Sequence, residues 1–153
     1  MIFAPGHHPP PDQERNGSVA ALRYGATWVT GAARTADARQ AVHAFLARAA
    51  ACRTRVTRRA EQDAQLVVSE LVTNALRHAP GPCGLTLELS ADHERLGITV
   101  WDTSPVLPLV RERDGTRVGG HGLYLVKACA RALTAVARPG GKQITAEVPL
   151  GTA

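Results

Sequence analysis

Aromatic residues are scarce: two Trp, two Tyr and two Phe make up 4% of 153 residues, and there is a single Met. A core made by this chain must therefore be built mainly from Ala, Val and Leu. Only three cysteines occur, Cys52, Cys83 and Cys129, odd in number, widely spaced and without a CxxC pair. That spacing argues against a disulfide framework and against a zinc site, and leaves buried free thiols as the expectation. No stretch approaches the roughly 18 apolar residues of a membrane span. The opening MIFAPGHHPPPDQERNGS has neither a basic n-region nor a continuous apolar h-region, so no signal peptide is expected and a cytoplasmic location is. Acidic residues are outnumbered 13 to 18, giving a formal charge of +5. Such a balance invites nucleic acid, and CRTRVTRR (52–59) is its best local support. The run has no interleaved aromatics and no reading motif, so it is better read as a solvated Arg-rich loop or helix end.

What is present is one domain's worth of globular sequence, long enough to bury about two thirds of the surface its unfolded form exposes. Residues 1–18, with Pro9, Pro10, Pro11, Gly6 and Gly17, read as a flexible arm, and the ordered domain is expected over 19–153. A strand is expected over 21–30 and an Ala-rich helix over 35–53, with Thr35 or Asp37 as N-cap. A second helix is expected from about Arg59 to His78, stopped by APGPCG. Two alternating strands follow, 84–91 and 95–102, joined by the polar turn Asp92–Glu94. Residues 103–120 are rich in Pro, Gly and charge, too irregular for an ordinary connection and suspect as a functional loop. GHGLYLVKACARALT (120–134) predicts a third helix, and 135–150 a hairpin around Pro139, Gly140 and Gly141. The order β, α, α, β, β, α, β, β suits an α+β two-layer sandwich with a mixed, mostly antiparallel sheet and helices on one face.

The second helix carries SELVTNALRHA (69–79). At 100° per residue Val68, Leu71, Val72, Ala75 and Leu76 share one side, while Glu70, Thr73, Asn74, Arg77 and His78 form the other stripe. A merely wet face would be better served by Glu, Lys and Ala than by Asn and Thr, and Val67 interrupts the stripe. A carboxylate one turn from a carboxamide is a usable chemical pair. Asn offers a neutral oxygen suited to Mg²⁺, and Glu can take a proton from an attacking hydroxyl. Asp102 ends a strand, where its carboxylate can accept from an exocyclic amine. Gly120 and Gly122 open a helix whose free N–H groups suit phosphate.

These residues carry a resemblance. ELVTNALRHA resembles the N-box of the GHKL superfamily of ATP-binding domains (gyrase, Hsp90, histidine kinase and MutL type). VWDTSP (100–105) falls where that superfamily has an Asp at a strand end, and GGHGLYLV (119–126) is similar to its later glycine box. The three occur in the required order on the required elements. The usual Asp-x-Gly reads Asp102, Thr103, Ser104, so the local turn has to be made with Ser104 and Pro105.

The resemblance implies the Bergerat ATP-binding fold, with a lid over about 103–120 carrying Arg111, Arg113 and Arg117. It implies ATP and Mg²⁺ as cofactors, Asn74 on the metal, Asp102 on adenine, Gly120 and Gly122 at the phosphates, Leu123 under the nucleotide or in the core, and Glu70 as catalytic base. A stand-alone domain of this size is similar to the anti-sigma-factor serine/threonine kinases of actinobacterial type. Their pattern implies a sigma factor and an anti-anti-sigma antagonist as partners, a homodimer, and no membrane or direct nucleic-acid contact. The alternative is a nucleotide-binding regulatory module without kinase activity.

Overall fold

The computed structural model describes residues 19–29, 35–78, 81–107 and 121–151. The expected arm, 1–18, and the expected lid beyond residue 107, with its three arginines and Gly120, lie outside the described residues. The elements come in the expected order: β1 (Leu22–Trp28), α1 (Thr35–Ala51), α2 (Arg58–His78), β2 (Cys83–Leu89), β3 (Arg95–Asp102), α3 (His121–Cys129), β4 (Ala132–Arg138) and β5 (Gly141–Pro149). The five strands form one sheet in the order β1-β2-β3-β5-β4. Every neighbouring pair is antiparallel, so the sheet is not mixed.

Period-two alternation sends Leu85, Leu87 and Leu89 of β2, Leu96, Ile98 and Val100 of β3, and Ile144, Ala146 and Val148 of β5 to the same buried face. There they meet Val42, Phe45 and Leu46 of α1, Val67, Val68, Leu71 and Val72 of α2, and Leu123 and Val126 of α3 in one core. This is the expected two-layer sandwich. On the opposite face the Thr99 and Thr145 hydroxyls are 2.9 Å apart, and the Arg138 guanidinium lies 5.3 Å from the Trp101 ring centroid.

Local chemistry explains where the boundaries fall. Helix α1 stops at Ala51 because Arg53 adopts φ +67 and the N–H groups of Arg53 and Thr54 return to the carbonyls of Ala50 and Ala49. That is a Schellman closure made without glycine, so no residue announces the stop. The start of α2 is fixed by Thr57, whose hydroxyl accepts from the Ala60 N–H at 3.1 Å. Helix α3 ends at Cys129, short of the expected 134, because Arg131 N–H donates to Glu147 O at 2.7 Å and Ala132 onward pairs with β5. An Ala-rich stretch with good helix propensity is thus drawn into a sheet edge by long-range pairing, with Leu133 and Ala135 against the core.

Two of the sequence expectations need correction at the level of burial. Cys52 is exposed and Cys129 intermediate, and only Cys83 is buried. Leu76, placed on the apolar side of α2, is 40% exposed, whereas Val67 is fully buried. The apolar stripe is therefore rotated toward Val67, which brings Glu70 and Asn74 to half-buried positions.

Candidate nucleotide-binding site

Three element ends converge. Gly81, three residues past α2, lies against Thr103, one residue past β3, so close that a Cβ at Gly81 would be 2.5 Å from Thr103 Oγ1. The ends of α2 and β3 are therefore at the same edge of the sandwich. Helix α3 packs on α2, with its last residue, Cys129, beside Asp63 near the start of α2, and Leu123 of its first turn lies in the shared core. Strand β5 begins at this edge too, with Lys142 opposite Asp102.

On α2, Glu70 and Asn74 are half-buried one turn apart. Asn74 Oδ1 is buried and has no hydrogen-bond partner among the described residues. Most buried polar atoms are paired, so an orphaned carboxamide oxygen is a marked departure. The side chains of His78 and His121 lie outside the described residues.

Asp102 is 3% exposed. Its Oδ1 accepts the Ser104 N–H at 2.9 Å, and Ser104 Oγ accepts the Val106 N–H at 3.3 Å. These two side-chain turns make the bend for which the sequence lacks a glycine. Lys142 Nζ donates to Asp102, 2.8 Å from Oδ2 and 3.1 Å from Oδ1, and Lys142 is 2% exposed. Leu123, 5% exposed, packs into the core, one of its two expected places.

The sequence reading left Lys142 out of the site. Parity was the available signal: counting back by twos from the core residues Val148, Ala146 and Ile144 puts position 142 on the buried face, where a lysine needs a partner.

The glycines of the last hairpin serve this corner. Gly140 turns the chain at φ +78. A Cβ on Gly141 would stand 1.9 Å from the Asp102 carbonyl oxygen and 2.9 Å from Thr103 Cα. Gly141→Ala must displace the Asp102–Thr103 backbone, at a cost of about 1–3 kcal/mol in urea unfolding. In that variant the Asp102 carboxylate is expected to move with its backbone.

Cys83 starts β2 on the same side of the sheet. Burial, and secondarily the Asp102 carboxylate, push its thiol up to about 11. At pH 8 only about one part in a thousand is thiolate. Timed alkylation with mass spectrometry is expected to label exposed Cys52 first and Cys83 only on unfolding.

Elsewhere, a groove of about 470 Å³ between β1 and α1 is lined by Tyr24, Asp37, Phe45 and Arg48 and includes none of the motif residues. Among the described residues there is no cluster of three His, Cys, Asp or Glu side chains fit to hold a metal unaided, and no helix long and apolar enough to cross a membrane. His43 of α1, which has no acidic neighbour in sequence, has Glu61 of α2 at 2.6 Å from Nδ1.

A five-stranded antiparallel sheet covered on one face by three helices, with a polar corner where the ends of α2 and β3 meet the start of β5, defines a two-layer α/β sandwich with its candidate site at one edge. The family model for the histidine kinase-like ATPase domain matches residues 31–148, and the chain belongs to that family. Membership makes it an ATP-binding domain. A comparison with curated proteins found no match.

Proposed function

We propose that the domain is an anti-sigma-factor-like regulator that uses Mg-ATP to phosphorylate a serine or threonine of an anti-anti-sigma partner. The observation that carries the reading is the unpartnered, buried Oδ1 of Asn74 one helical turn from Glu70. A neutral oxygen with a free lone pair, and no carboxylate cluster around it among the described residues, fits Mg²⁺, which keeps waters and takes further oxygens from phosphates. When bound there, the ion would neutralise charge on the phosphates. Asp102 holds the base, the N-terminal turn of α3 with Gly122 faces the phosphates, and Glu70 takes the proton of the attacking hydroxyl. The new bond joins the hydroxyl oxygen to the γ-phosphorus, the bond to the β-phosphate oxygen breaks, and ADP leaves.

In this reading the unphosphorylated antagonist displaces a sigma factor from the domain, which acts as a homodimer in the cytoplasm. The direct test is incubation with γ-labelled ATP, Mg²⁺ and candidate antagonists. Label on a serine or threonine of the antagonist supports the kinase. Nucleotide binding with no phosphoprotein supports instead a regulatory module without kinase activity.

A further inference from the structure

Lys142 has no part in the chemistry just described, yet its placement is costly. An ammonium group buried to 2% exposure, with a single carboxylate as its partner among the described residues, gives up hydration that one ion pair seldom repays. Apolar side chains of similar volume generally serve a purely structural site at least as well. The pair also stands at the end of β3 and the start of β5, at the edge where α2 ends, and not in the middle of the sheet.

Donors and acceptors can be counted. Among the described residues, Asp102 Oδ1 is taken by the Ser104 N–H and by Lys142, while Oδ2 is taken by Lys142 alone and keeps one lone pair. Two of the three ammonium N–H bonds suffice for the carboxylate, so one donor remains. The corner thus offers one acceptor and one charged donor side by side.

We propose that Lys142 is a base-reading residue: Asp102 Oδ2 accepts from the 6-amino group of adenine while the spare N–H of Lys142 donates to ring N1. The inference rests on the ATP-site reading above and deepens it. A carboxylate alone recognises the amine and is indifferent to N1. The ammonium–carboxylate pair recognises the edge.

The test is calorimetric titration of the full chain with Mg²⁺ and three nucleotides: ATP, 1-deaza-ATP, which lacks the N1 acceptor, and 7-deaza-ATP, which keeps it. A hydrogen bond to a charged donor predicts that 1-deaza-ATP binds on the order of tenfold or more weaker than ATP, with 7-deaza-ATP close to ATP. In Lys142→Met the difference between ATP and 1-deaza-ATP should collapse. Should that variant not fold, Lys142→Gln, a shorter and neutral donor, must still reduce the ratio. Equal binding of ATP and 1-deaza-ATP by wild type overturns the role of Lys142 and leaves the ATP site standing, as a structural counter-ion would. An unchanged ratio in a folded variant overturns it as well. Binding of none of the three removes both the ATP reading and this one.

Discussion

Asp102→Ala is expected to lower the stability of the fold by about 3–5 kcal/mol, because it leaves the buried Lys142 ammonium without its counter-charge. In a chain of this length that corresponds to a fall of the unfolding midpoint on the order of 10 °C. The cause is the stranded cation and not the lost carboxylate volume, so removing both charges should reverse most of the loss. The paired replacement Asp102→Leu with Lys142→Met is expected to approach wild-type stability in urea unfolding, though without a base-binding corner. A single Asp102→Ala variant within about 0.5 kcal/mol of wild type would mean that the pair is already solvated in the folded protein.

The second large effect concerns chemistry. Glu70→Gln keeps the shape of the side chain and one carbonyl oxygen but cannot accept the hydroxyl proton. Transfer to the antagonist should fall by about a hundredfold to ten-thousandfold, the range of a general base. Mg-ATP affinity should stay close to wild type, since Asn74, Asp102 and the α3 turn are untouched. The two readouts, single-turnover transfer and calorimetric affinity, separate loss of the base from loss of the site. A fully active Glu70→Gln variant would remove Glu70 from that role.

Much of the fold was legible because the inward positions of the central strands obey strict alternation and α2 has a clear apolar stripe. Three things were not. The end of α1 is made by a left-handed arginine, Arg53, where glycine would have announced it. The start of β4 was hidden in alanine-rich sequence that becomes a strand only when β5 is beside it. The wholly antiparallel sheet depends on β3 pairing with β5 across α3 and β4, a long-range choice that no local pattern encodes.

The site divides in the same way. Glu70, Asn74 and Asp102 stand out in the sequence as candidates because each sits at a fixed step on a recognisable element; the ends of α2 and β3 lie at one edge. Lys142 was missed because its meaning depends on strand register: only the pairing of Asp102 with Lys142 places the ammonium against the carboxylate. Without the usual glycine after Asp102, the turn has to be made with Ser104 and Pro105. Ser104 supplies the turn through its own N–H and hydroxyl.

In the proposed site α2 holds Mg-ATP through the carboxamide oxygen of Asn74, which has no hydrogen-bond partner among the described residues. Calorimetric titration of ATP with Mg²⁺ into wild type and Asn74→Ala tests it most directly. The account predicts saturable binding by wild type, strongly weakened in the variant, with the circular dichroism of the two proteins alike. Equal binding by both would contradict the assignment of Asn74, and no binding by well-folded wild type would contradict the nucleotide site itself.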